Sequence, residues 1–192
     1  GDTTSPGLER VNLNDKKVQI TGNGWIYNPI NIDKNGINDL TVELHFHVGS
    51  GSFDHYIRLT SKEQLLFSTG TGTMFIVNTN KTPNDTTTKP VPIVKIYTPQ
   101  DTLYAGDCKD SLSNFDTYDK PAPGSIYSYM HEWISGIHYF GMKKVINNTN
   151  YLGWFKINVI DEYTVILMEY AIQQLPVGIK ETHESTASIY PN

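Results

Sequence analysis

The chain has 192 residues, a formal net charge of −5 and a pI near 5.6, with 38% hydrophobic and 18% charged residues. That acidic balance argues against a nucleic-acid partner, which requires a basic face. It also contains no apolar run of the roughly 18 residues a membrane-spanning helix needs, and its charge content is too low for a disordered acidic tail. The length suits one domain with a core of useful size. Twelve Tyr, 7 Phe and 3 Trp favour strands.

In chain order, residues 1–16 are polar, carry Pro6 and Gly7, and read as a flexible lead to a domain spanning 17–192. GDTTSPGLE has neither an initiator Met nor an apolar leader. It reads as a trimmed or mature chain, from which any signal or lipid anchor would already have been removed, so it says nothing about compartment. Lys17–Thr21 and Trp25–Tyr27 form short strands separated by Gly22-Asn23-Gly24. Asp39–Val48 alternates with period two, placing Leu40, Val42, Leu44, Phe46 and Val48 on one face and Thr41, Glu43, His45 and His47 on the other. The turn at 49–52 predicts a hairpin with His55–Thr60. Lys62–Ser68 and Thr73–Val77 are expected to pair across Thr69-Gly70-Thr71-Gly72, and Asn78–Lys89 to be a polar loop. Pro90–Tyr97 reads as an edge strand, Pro99–Gly124 as a long irregular segment, and residues 126–135 as a strand.

The closing stretch predicts three strands, Ile137–Lys143, Leu152–Ile160 and Tyr163–Ile172, followed by a coiled tail from Gln173. Val165 and Leu167 oppose Ile166 and Met168, the mark of a strand covered on both faces. Trp154 falls on the face opposite Phe155, Ile157 and Val159, so a buried Trp requires a second packed layer there. About ten strands with no long helix indicate an all-β, single-domain β-sandwich of jelly-roll or lectin-like form.

The closing stretch also carries a recognisable pattern: Tyr139, Gly141 and Lys143; Tyr151, Gly153, Trp154, Lys156 and Ile157; then Glu169, Tyr170 and Ala171. Together with NIDKNGINDL at 31–40, it resembles secreted or lipoprotein β-sandwich domains of Bacteroidetes type. Leu152 interrupts their usual contiguous Tyr-Gly-Trp. The resemblance implies a location outside the cell or on its envelope, whereas the activity of that group is mostly unassigned.

Four segments could carry chemistry. In the 31–39 loop, Asn31, Asp33, Asn35 and Asp39 offer side-chain oxygens and Ile37 a carbonyl, with Gly36 at the turn, a pattern suited to Ca²⁺. Val42 stands where an EF-hand has its Glu, and an empty Asn-Gly turn fits the same residues. His45, His47 and His55 could meet at a Zn²⁺ or Fe²⁺ site. The cupin jelly rolls, which use such a His-x-His, follow it with a Glu that is missing here, so solvated histidines are the simpler reading.

Asp107, Asp110, Asp116 and Asp119 could pair as glycosidase carboxylates or simply face water. Tyr97, Tyr104, Phe115, Tyr118, Tyr127, Tyr129 and Trp133 form a candidate aromatic platform for a polysaccharide or a host or cell-surface glycan, or else cover short strands. The lone Cys108, with no activating neighbour in sequence, reads as a surface or half-buried thiol. The Asn-x-Thr sequons at Asn80, Asn84 and Asn147 would matter only in a eukaryotic secretory host. The functional expectation is a non-catalytic binding or adhesion module, with a glycoside hydrolase or a purely structural surface domain as alternatives.

Overall fold

The structure, a computed structural model, describes residues 8–49, 53–62, 65–78, 85–98, 101–110, 112–120, 126–131, 135–175 and 186–188. Within these residues there are fifteen strands and one short 3₁₀ turn. The all-β sandwich expected from the sequence is therefore the fold, with finer division than about ten strands.

Sheet I is built on β1 (Leu8–Gln19), β14 (Thr164–Gln174), β13 (Thr149–Asp161) and β12 (Gly136–Ile146), adjacent in that order and antiparallel. Sheet II contains β2 (Gly24–Ile30), β3 (Leu40–Val48), β4 (Phe53–Ser61), β10 (Leu112–Lys120) and β11 (Ile126–His131). The long β5 (Leu65–Asn78) belongs to both. Its first residues pair with β12, while its later ones pair with β11 and with β6 (Asp85–Val94).

The three closing strands and the β3–β4 hairpin lie where alternation places them. Asn147 and Asn148 close the β12–β13 hairpin with φ of 48° and 60°, the paired left-handed geometry of a tight hairpin turn.

Several expectations give way. Residues 8–16 of the supposed flexible lead form much of β1, held against β14 by main-chain pairing. The expected β-turn at 69–72 is continuous strand, because β5 needs length to pass from one sheet to the other. Residues 85–89 of the expected loop are strand, and the segment from Pro99 contains β8 (Thr102–Tyr104), the turn Ala105–Asp107, β9 (Cys108–Asp110) and β10. Within the coiled tail, β15 (Thr186–Ser188) pairs with β8.

The main core lies between the sheets. Leu40, Val42, Leu44, Ile57 and Leu59 of sheet II meet Phe140, Met142, Phe155, Ile157, Val165, Leu167 and Tyr170 of sheet I. Phe140, Phe155 and Tyr170 stand opposite one another on three adjacent strands. Their rings run nearly parallel, with centroids 5.2 and 6.0 Å apart, and such cross-strand aromatic pairs reinforce register.

A second core covers the other face of sheet I. β7 (Ile96–Tyr97), β8 and the turn after it bring Tyr97, Leu103, Ala105 and Cys108 over Tyr139, Leu152, Trp154 and Ala171. This is the second layer that a buried Trp154 demanded. Met168 bulges from β14 where its register with β13 shifts, so inward positions fall at Leu167 and Tyr170 rather than at strict alternation.

The glycines of the closing pattern are packing requirements. A Cβ at Gly141 would run into the Leu103 side chain, and one at Gly153 into the Ala171 carbonyl oxygen. A leucine can swing aside, whereas a paired strand carbonyl cannot. Gly153→Ala is therefore expected to lower stability by about 1–3 kcal/mol, the usual cost of overpacking, and Gly141→Ala by less. Urea denaturation of the two variants checks the order.

Candidate functional site

The outer face of sheet II carries an aromatic platform. β2 is an edge strand paired with β3, which places Trp25 opposite His45 and Tyr27 opposite Glu43. β4 adds Tyr56 opposite His45 and Arg58 opposite Glu43. Trp25 and Tyr27 are 47% and 58% exposed, with ring planes 3° apart and centroids separated by 6.1 Å. Tyr56 meets Trp25 edge-on at 5.1 Å, and the His45 ring lies 4.0 Å from that of Trp25.

Polar groups hold the rings in place. The Arg58 guanidinium sits 4.7 Å from the Tyr56 ring centroid and 5.8 Å from that of Trp25, within cation–π range. Arg58 donates from Nε to Glu43, whose other oxygen accepts from Thr60 at 2.8 Å. His45 approaches two acceptors, the Gly24 carbonyl at 2.9 Å and Asp54 at 2.6 Å. Both bonds form together only when the ring carries two N–H groups. Burial pushes the Tyr56 phenol up to about 12, with Glu43 adding to the rise and Arg58 opposing it.

The 31–39 loop is arranged around a lysine. Lys144, on β12, pairs with Asp39 and, at 2.8 Å, with Asp33. The three side chains are 3%, 0% and 7% exposed. Burial works to raise the Asp33 carboxyl, but the Lys144 hydrogen bond and charge and the loop amides outweigh it and hold the group below its ordinary value. Asn35 spends its side-chain oxygen on the Ile37 amide. Among the described residues, the buried Asn31 Oδ1 has no hydrogen-bond partner.

Asn31 also lines an open groove of about 310 Å³ between β1 and β2, walled by Val11, Leu13, Ile30, Leu167 and Tyr170. Among the described residues, no three of His, Cys, Asp and Glu are grouped to hold a metal ion.

The other expected groups disperse. His55 stands opposite Phe46 on the core face of β4 and packs on Phe53 and Tyr163, away from His45. His45, expected in solvent, is buried. Tyr97 points inward, its hydroxyl 2.5 Å from Ser68, and Tyr104 is half-exposed on β8. Phe115, Tyr118, Tyr127 and Tyr129 lie on described strands, but their side chains, and all of Trp133, fall outside the described residues. The same holds for the side chains of Asp110, Asp116 and Asp119, while Asp107 pairs with Lys95. Cys108 is buried rather than at the surface, and that burial, helped by Asp107, pushes its thiol up to about 12.

No family model, curated protein or solved structure matches the chain.

Tyr170 is likewise pushed up to about 12 by burial and by nearby carboxylates. Above an unfolded-chain value of about 10, the folded protein keeps phenol protons that the unfolded chain releases, so the unfolded state binds fewer protons. Stability is therefore expected to be level below about pH 10 on account of these groups and to fall as pH rises toward 12. Urea midpoints across that range, with Tyr56→Phe flattening part of the slope, check the sign.

Removing the cation from the buried triad should cost more than any surface pair does. Lys144→Met leaves two buried carboxylates uncompensated and is expected to destabilise by about 3–5 kcal/mol, measured by denaturant unfolding.

Proposed function

We propose that this chain is an extracytoplasmic, non-catalytic binding module that takes glycans on the Trp25–Tyr27–Tyr56 face of sheet II. The observation that carries this reading is the pair of half-exposed, near-parallel rings of Trp25 and Tyr27 on an edge strand. Leaving two large rings in water is unfavourable unless they meet something, and pyranose rings present the C–H faces that stack on such aromatics. The Arg58 guanidinium stands beside them, with N–H donors of the kind that sugar oxygens accept from.

A hydrolase reading gains less support. Among the described side chains, the carboxylates of this face, Glu43 and Asp54, are each engaged, by Arg58 and Thr60 and by His45 respectively. The extracytoplasmic placement, and with it an anchor outside this sequence, rests on the resemblance of the closing strands.

The test is affinity electrophoresis against a panel of soluble polysaccharides, followed by calorimetry on those that retard the protein. Trp25→Ala and Tyr27→Ala are each expected to weaken binding about tenfold, or about 1.4 kcal/mol, with an unchanged circular dichroism spectrum. Retardation by no polysaccharide, or equal binding by both variants, sinks the proposal. Runs with calcium and with chelator show whether the 31–39 loop contributes an ion to the site.

A further inference from the structure

The two carboxylates and the amine of the buried triad have the arrangement of a condensation reaction. We propose that Lys144 and Asp39 join spontaneously in an intramolecular amide bond, with Asp33 as the proton-transfer group.

Four features support this. The first is contact: Lys144 Nζ lies directly against the Asp39 carboxyl, and Asp33 Oδ2 stands 2.8 Å from the same nitrogen. Reacting groups held at such range need no further loss of translational freedom. The second is dryness. The three side chains are almost wholly inaccessible, as are Ile32 and Leu40 beside the aspartates in sequence and Leu65 paired with Lys144, and an ammonium–carboxylate pair in such a place carries a desolvation cost that a neutral amide does not.

The third is electrostatic. Asp39 Oδ2 accepts hydrogen bonds from the main-chain amides of Ile32, at 2.7 Å, and Asp33, at 3.3 Å. These two donors are placed where negative charge collects when a nucleophile adds to the carboxyl carbon. The fourth is placement. Lys144 lies on a core-facing position of β12, beside Met142 and opposite Leu65, where an apolar side chain would otherwise pack.

The step balances without any co-reactant. The ammonium gives one proton to Asp33, and the free amine adds to Asp39 Cγ while Oδ2 takes the charge between its two amides. Asp33 then passes its proton to Oδ1, the second nitrogen proton follows, and Oδ1 leaves as water. One C–N bond forms and one C–O bond breaks. Asp33 ends as the carboxylate it was, and the charges of Lys144 and Asp39 cancel. The product ties β12 of sheet I to the start of β3 in sheet II across a sequence separation of 105.

Intact mass spectrometry of the purified, denatured chain tests this directly. The expected mass is one water below that of the sequence. Trypsin should release a branched peptide in which 35–58, containing Asp39, is joined to 144–156, with no cleavage after Lys144. Lys144→Met and Asp39→Ala should show their full masses. Since loss of either partner can unfold the chain, the wild-type digest stands as the independent readout. Asp33→Asn, folded by circular dichroism, should also keep its full mass. A wild-type chain of full mass that cleaves after Lys144 overturns the proposal and leaves an ion triad only. Loss of water in Asp33→Asn overturns the role given to Asp33.

Discussion

A charged group inside a sandwich must be answered where it stands, and in this protein the answer to Lys144 organises the junction of the two sheets. The ammonium comes from the middle of sheet I, while its partners come from the loop that delivers the chain into sheet II. Asp39 is bound on both oxygens, by Lys144 on one and by the Ile32 and Asp33 amides on the other. Its own main chain bonds to Ile30 and Lys62. The 31–39 loop is thereby folded inward around a cation supplied by the chain, and β3 begins from a fixed point. Since β2 and β4 both pair with β3, the position of the aromatic platform depends on that point as well.

Sheet I provides the rigid side of this arrangement. Its two faces are both covered, by sheet II on one side and by the 96–110 segment on the other. The Phe140–Phe155–Tyr170 row holds three strands in register from within. Tyr170 also reaches out of the row, donating its hydroxyl to the Ile32 carbonyl at 3.0 Å. The same loop is thus held by a buried ion contact and by a phenol at the end of the aromatic row. Sheet II, by contrast, carries exposed rings on the outer side of its β2 edge.

What the residues disclosed in advance follows from how local the governing physics is. Alternation in 39–48 and in the closing strands expresses a single buried face or two, so their strands and the inward role of Trp154 were legible. The bulge at Met168 and the two-sheet path of β5 depend on partners far away in sequence, and local composition does not report them. The Thr-Gly repeat at 69–72 looked like a turn because glycine is compatible with both uses. Tyr97 illustrates the limit for sites: an aromatic residue near a long segment can cover a core as readily as face a ligand, and only the position of sheet I separates the two. Two signals were nevertheless present. Trp25 and Tyr27 sit two apart on a strand whose intervening Ile26 packs on the core, which puts both rings outward. Lys144 follows Phe140 and Met142 at period two, so a charge falls on an apolar face.

That last misfit bears directly on the acidic loop. Asp33 and Asp39 are spaced to converge on a positive charge, and from the loop alone a free cation is the natural candidate. The complementary residue lies more than a hundred positions away, on a strand whose pattern marks that position as inward. The loop and the strand together place an amine between two carboxyls in a buried site. A resident lysine adds what a diffusible ion does not, because it arrives only when both sheets have assembled. The contact spans 105 positions in sequence and fixes the start of β3 against sheet I.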